Sequence, residues 1–450
     1  MSATLRYESK RTLLAGDRYL AFLAVVLLGY ALMGKGFAYI GLPPLYVGEI
    51  ALLAGIAVFV KSGAVLASFA TLPCVLLSVT MIWVAARTVP FVGAHGFDAL
   101  RDSVVILYGA FAFIVIGLVL ENARRIDSVL RYYSRFLVTF PAIPVGFWLT
   151  KYWVDYIPRL YGPPVVEIGA SAVGTHLAGT AIFVLIGWRK VSPLWVVVWL
   201  VTLAMIAATN RGAALAVIVP ITFAIVVLGR LRSLLSTLVA VLVAFGLLYA
   251  AEAAFTYHEE AKDSIDRPVS AHQIVENAMS IIGQGGEQTE GTKKWRLDWW
   301  DIIVEDTLDG PHFWSGRGFG LNLAEADGFL GTGDANNARP PTRSPHSVHM
   351  TLLARAGMPG IVLWCLVLLS WSCTMLRAML IARARGHKQW ADLFLFVICY
   401  AASIIINASF DVALEGPMQG IWFWCLFGFG IGTVMVYRAQ AAEKVRSSGR

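Results

Sequence analysis

The stretch Arg343-Ser-Pro-His346-Ser-Val-His349-Met-Thr-Leu-Leu-Ala-Arg355-Ala-Gly357-Met-Pro-Gly360 divides the chain. It closes a long polar segment and opens a hydrophobic helix. The first turn of a helix leaves backbone N–H groups unpaired. A serine hydroxyl accepts from one of them and a proline lacks one, so Ser344 reads as the N-cap and Pro345 as the first helical residue. This puts His346 in the first turn of a membrane helix, where the helix dipole favours anions and a neutral imidazole. A titratable side chain at that depth is a candidate for function.

Outward from this point the sequence is dominated by apolar runs. Of 450 residues, 58% are hydrophobic and 14% charged, and the mean hydropathy is +0.67. Soluble domains carry about 25% charged residues. The runs are continuous rather than alternating, and only helices or closed barrels satisfy the backbone in lipid. The sequence therefore predicts an all-α polytopic membrane protein with about twelve transmembrane helices. The spans fall near 19–36, 40–60, 64–86, 102–120, 130–150, 171–188, 192–209, 211–229, 233–253, 346–380, 389–410 and 417–437. Nine spans thus form an N-terminal bundle, 1–253. A long polar segment, 254–345, follows, and three spans with a tail complete 346–450. Pro43, Pro44 and Glu49 interrupt the second span. Pro141 and Pro144 predict a kink in the fifth. The run from His346 exceeds one crossing, so it tilts or projects beyond the bilayer.

Positive charge orients the bundle. With the N-terminus inside, 21 of the 36 Lys and Arg residues fall on inner segments, and the short outer connections hold few. This bias predicts both termini in the cytoplasm and 254–345 outside. The net charge of +7 follows from that topology and does not indicate nucleic-acid binding. The long first run, with no small-residue cleavage site after it, predicts that no signal peptide is removed. All five cysteines, Cys74, Cys365, Cys373, Cys399 and Cys425, fall in spans, which supports neither a disulfide framework nor a thiolate metal site.

The outer segment carries fifteen acidic residues against eight Lys and Arg, so its arginines stand in an acidic setting. Within it, Trp295-Arg-Leu-Asp-Trp-Trp-Asp-Ile-Ile has helical period, with Trp295, Trp299, Ile302 and Ile303 on one face. Such a face suits the membrane–water boundary, with Arg296 beside it at headgroup level or merely snorkelling. Gly310-Pro-His-Phe-Trp-Ser-Gly316-Arg-Gly318-Phe-Gly320 follows. Its glycines either present N–H groups to a phosphate or simply form turns. Earlier, Asn210-Arg211-Gly212 makes a very short outer turn that holds Arg211 at the membrane edge.

In this order the pieces resemble the O-antigen ligase and polymerase superfamily. The features are an Asn-Arg-Gly turn, an Arg-Leu-x-x-Trp helix, a Gly-x-Gly-x-Gly segment and a His-led helix. The last motif keeps the family's spacing through His346, Ser347, Met350, Leu353, Arg355, Gly357 and Gly360. Ser347 replaces the family's usual Asn, and Arg355 its usual Glu. The resemblance implies a metal-independent, inverting glycosyltransferase of the bacterial inner membrane that needs no cofactor, with 254–345 as a periplasmic loop containing short amphipathic helices. The donor would be a glycan on undecaprenyl diphosphate, its tail among membrane lipids. The acceptor would be a sugar hydroxyl, on lipid A–core for a ligase or on a lipid-linked glycan for a polymerase.

The residues suit that chemistry on their own terms. A diphosphate leaving group needs cations where its charge develops, and Arg binds phosphate oxygens in a fixed fork. Arg211 and Arg296 are the expected diphosphate-binding pair. His346 is the expected catalytic residue, as base or as orienter of the acceptor. Arg317, Arg343, His349 and Asp411 are further candidates for substrate contact, and Glu415 stands in the same turn as Asp411. Two rival readings remain. His346 and His349 share a helical face and would make a metal site if His312, Asp327 or Asp334 joined them. A transporter or flippase of lipid-linked glycans would also want arginines, although its site would lie near the midplane between repeated halves.

Overall fold

The computed structural model describes residues 3–149, 157–159, 164–231, 271–281, 287–330 and 342–448. The expected span at 233–253 lies outside these residues, as does Asp334. The described chain is overwhelmingly helical, with several helices long and apolar enough for a multi-pass membrane protein. Five helices are long and apolar enough to cross a bilayer: Leu14–Met33, Leu72–His95, Val348–Ala384, Lys388–Ala408 and Pro417–Glu443. Phe97–Leu107 and Ala110–Glu121, bent by 42°, make a sixth if read as one span. Ala170–Ile186, Pro193–Thr209 and Arg211–Val227 are apolar helices of 17 residues each. At 1.5 Å per residue each is about 26 Å long, a little short of a hydrocarbon core of about 30 Å.

Proline placement explains two departures from straight spans. Pro43 and Pro44 form the turn of a small hairpin that pairs Gly41–Leu42 with Leu45–Tyr46, so the second helix begins only at Val47. Glu49 thus sits in that helix's first turn rather than within an apolar run. Its carboxylate accepts from the Tyr46 N–H at 3.1 Å and from the Tyr108 hydroxyl at 2.6 Å. Farther on, helix Arg125–Thr139 stops before Pro141 and a new one starts at Ala142, a full break where a kink is expected.

Close helix contacts rely on small residues. A methyl group at Gly174 would lie 3.0 Å from the Ala213 carbonyl, which brings Ala170–Ile186 against Arg211–Val227. Gly428 and Gly432 seat Pro417–Ser448 against Ala110–Glu121 in the same way. Such close approach is the usual basis of helix association in lipid, where apolar area alone drives nothing.

The Val348–Ala384 helix is not continuous. Gly357 has φ 68° and ψ −170°, a conformation essentially reserved for glycine. At the break three carbonyls bond outside the helix, because the Met358 N–H has turned away from Ala354 and Pro359 has no N–H to offer Arg355. Other groups take them. The Arg317 N–H donates to Ala354 O at 2.8 Å, the Gly318 N–H to Arg355 O at 3.0 Å, and Trp83 Nε1 to Ala356 O at 3.0 Å. In return the Met358 N–H donates to Phe313 O at 2.7 Å. Arg87 Nε adds a bond to Ser315 O at 2.6 Å. The segment around residues 313–318 is thereby fastened to the helix bundle, mainly through backbone groups.

Helix Glu287–Leu308 packs on this junction. Trp299 and Ile303 are fully buried with Leu323, Ala324, Leu353 and Ala354, and Trp299 stacks on Phe329 at 5.3 Å. The tryptophan face is therefore a packing core rather than a lipid-facing boundary, and Ile302, expected on that face, points outward.

Gly357→Ala should lower stability by about 1–3 kcal/mol or more. The added methyl would require a glycine-only backbone and would lie 2.7 Å from both Gly316 N and Phe313 O. Thermal unfolding of the purified variant in detergent checks this, and an unchanged melting temperature contradicts it.

Candidate active site

His346 lies outside the helix, a correction to its expected place in the first turn. The helix begins at Val348 with Ser347 as its N-cap, and His346 adopts a left-handed backbone with φ 54°. Ser344 does not cap, because its hydroxyl is drawn elsewhere. It donates to Glu415 Oε1 at 2.6 Å and lies 3.2 Å from Thr351 Oγ1. Left-handed backbone is uncommon for any residue but glycine, and such strain of about 1–3 kcal/mol persists where neighbours over-determine it. Among those neighbours is Trp300, whose Nε1 donates to Pro345 O at 2.8 Å.

Two elements meet the imidazole, and a third packs beside the turn that carries Asp411. Asp411, in the turn between Lys388–Ala408 and Pro417–Ser448, has Oδ1 3.8 Å from His346 Nδ1. Burial works against this carboxylate, yet the nearby His346 and hydrogen bonds from Ser171 and the Val412 N–H hold its pKa below the ordinary value. The Trp295 ring, on Glu287–Leu308, stands 6.2 Å from the His346 ring. Arg296 is the next residue on that helix. The third element is the Asn210 turn. Asn210 Oδ1 caps Arg211–Val227 by accepting from the Ala213 N–H at 3.0 Å. A methyl at Gly212 would lie 3.0 Å from Phe410 Cβ, so the Arg211 turn abuts the residue preceding Asp411. Asn277, which the sequence reading missed, fixes the other side of this turn. Its Nδ2 donates to Ala207 O at 2.9 Å and Ala208 O at 2.7 Å, closing the carbonyl end of Pro193–Thr209.

Residues 196–365 match the O-antigen ligase family. This segment belongs to the O-antigen ligase and polymerase superfamily. No curated protein matches the chain. The O-antigen ligase segment contains Arg211, Arg296, Arg317, Arg343, His346 and His349. Asp411 and Glu415 lie beyond its end and are carried back to it by the helix pair that follows.

The remaining candidates in the O-antigen ligase segment are occupied by protein partners. Arg317 is nearly buried between Asp306, at 2.6 Å, and Asp327. Burial opposes its charge, but those two carboxylates raise its pKa overall. Arg343 donates to Gly320 O at 3.0 Å and lies 3.3 Å from Asp98 and 3.7 Å from Asp102. Arg355 is 1% exposed; it meets Asp102 at 3.0 Å and Leu321 O at 3.0 Å. The arginine that replaces the family's usual Glu thus has a carboxylate partner on helix Phe97–Leu107. The only sequence sign of that partner is an acidic residue at the edge of an apolar run.

His349 is a packing residue in this arrangement. Trp364 Nε1, which can only donate, lies 3.2 Å from His349 Nδ1, so Nδ1 accepts. The proton then sits on Nε2, 3.0 Å from Ser409 Oγ. Both nitrogens are engaged, which leaves neither for a metal. Asp327 is likewise engaged by Arg317 and by Trp299 Nε1 at 2.7 Å. Among the described residues no group of three His, Cys, Asp or Glu side chains is arranged to hold a metal ion. The glycines at 316 and 318 serve turns, with φ 61° and 82°. The N–H groups of residues 316–318 bond to carbonyl groups of the protein rather than pointing at an open site.

The lowered Asp411 pKa fixes the sign of a pH effect. Its contribution to stability is complete above the ordinary carboxylate value and is lost as pH falls through the lowered folded value. The melting-temperature gap between the wild type and Asp411→Asn should shrink as pH falls through that acidic range. Thermal unfolding across a pH series measures it, and a gap that stays unchanged from about pH 5 to the acid limit of folding contradicts the assignment.

Proposed function

We propose that this protein is a glycosyltransferase that moves a glycan from undecaprenyl diphosphate to a sugar hydroxyl at the periplasmic face of the bacterial inner membrane. The observation that carries the reading is His346, which stands 3.8 Å from Asp411 and 6.2 Å from the Trp295 ring, with the Arg211 turn packed on the neighbouring Phe410. In the proposed topology about twelve spans place both termini in the cytoplasm and residues 254–345 in the periplasm. The charge bias along the sequence supports that orientation. So does the gathering of Arg230, Arg383 and Lys388 around Asp392, on helix Lys388–Ala408 at the end remote from Asp411.

With Nδ1–H turned to Asp411, Nε2 of the neutral imidazole accepts the proton of the acceptor hydroxyl. The acceptor oxygen attacks the anomeric carbon from the side opposite the diphosphate. The carbon–oxygen bond to the leaving group breaks, and its electron pair departs on undecaprenyl diphosphate. The anomeric centre inverts. The Asp411 carboxylate steadies the imidazolium, and Arg211 and Arg296 take up the charge growing on the diphosphate, a role a divalent ion would otherwise fill. On lipid A–core as acceptor the product is that of a ligase, and on a lipid-linked glycan that of a polymerase.

His346→Ala should cut transfer by about a hundredfold or more, the usual worth of a general base. Expression and a monodisperse folded state in detergent should be retained. Arg211→Ala and Arg296→Ala should each cost about tenfold or more. Wild-type transfer should persist in excess EDTA. Gel analysis of the glycosylated acceptor reads all four, and full activity of His346→Ala refutes its role. Loss in EDTA that one divalent ion restores would refute the two-arginine account.

A further inference from the structure

The turn at 409–416 supplies two carboxylates to this region, and only Asp411 faces the His346 ring. Glu415 acts on the backbone instead. Its Oε1 accepts from Ser344 Oγ at 2.6 Å and from Thr351 Oγ1 at 2.7 Å. Both hydroxyls are buried, at 5% and 1% exposure. They stand two residues before and five residues after His346, so one carboxylate oxygen closes the length of chain that carries the histidine. Inside that closure lie the left-handed His346, the N-cap Ser347 and the first helical turn. Burial pushes the Glu415 pKa up, and the two hydroxyls and Arg355 act against that rise, whereas Asp102 adds to it. The charge of Glu415 is thus costly to keep, while its oxygen is what the two hydroxyls use.

We propose that Glu415 is a positioning residue of the transfer reaction. Through Ser344 and Thr351 it holds the backbone turn that presents His346 to Asp411. The inference rests on the role given to His346 above. It requires a hydrogen-bond acceptor at this position rather than a charge, and a glutamine side-chain oxygen accepts the same two bonds. Both carboxylates of the turn then serve one purpose, Asp411 orienting the ring and Glu415 orienting the chain.

The test uses full-length protein in lipid nanodiscs with a lipid-linked glycan donor and a glycan acceptor. Wild type is compared with Glu415→Gln, Glu415→Ala and the double variant Ser344→Ala/Thr351→Val. Expected are a kcat within about threefold of wild type for Gln and a loss of about tenfold or more for Ala and for the double variant. The donor KM should stay within about twofold. If Glu415→Ala does not fold, the double variant, which leaves the carboxylate in place, decides. Wild-type kcat in the double variant overturns the proposal, as does a Gln variant as impaired as Ala. A rise in KM with kcat intact also overturns it. Activity in His346→Ala, run alongside, would instead locate the failure in the reading on which the inference rests.

Discussion

Three backbone carbonyls set the terms for this structure. The helix that follows His346 breaks at Gly357, where Ala354 and Arg355 lose their helical partners and the Ala356 carbonyl takes an indole N–H. A carbonyl left unpaired at membrane depth costs several kcal/mol, so irregular backbone survives only where protein or water satisfies it. Here protein does, with the amides of Arg317 and Gly318 and the indole of Trp83. The glycines at 316 and 318 are needed because the arm must approach the broken helix closely with φ above zero. Once the arm is fixed, Trp299 and Ile303 have a surface to pack on, and their helix brings Trp295 to His346.

The same economy governs the charges. Arg317, Arg343 and Arg355 each have carboxylate partners, and Arg355 is buried. A buried guanidinium without a partner would be prohibitively expensive, so these ion pairs are a condition of folding. They tie the site's base to helix Phe97–Leu107 through Asp98 and Asp102. The His346–Asp411 pair differs from them in kind. Its members are looser and partly exposed, with side chains 30% and 23% accessible. Such a pair retains access to a substrate and to a proton.

Much of the membrane architecture was legible in the sequence, because lipid imposes one requirement along every span. Apolar runs end near the observed helix ends, and the prolines at 43, 44 and 141 mark real interruptions. Local signals failed where distant partners compete for the same groups. Ser344-Pro345 has the look of a helix start, but Glu415, 71 residues away, takes the serine hydroxyl and moves the cap to Ser347. The Gly-x-Gly-x-Gly segment reads equally as a phosphate cradle, and only the carbonyls freed at Gly357 decide otherwise. His349 shares a face with His346 in the sequence, yet Trp364 and Ser409 engage both of its nitrogens. Asp102 and Asn277 carry no signal of their pairing, since each meets its partner across the fold.

In the proposed reaction His346 is the centre of bond formation at a lipid-linked diphosphate, rather than a gate for moving that lipid. The most direct measurement is phosphorus NMR of the donor incubated with purified protein and acceptor in the absence of divalent ions. The account predicts that the glycosylated diphosphate signal converts to that of free undecaprenyl diphosphate only when acceptor and an intact His346 are both present. Donor that crosses sealed vesicles while its diphosphate signal stays unchanged would contradict it.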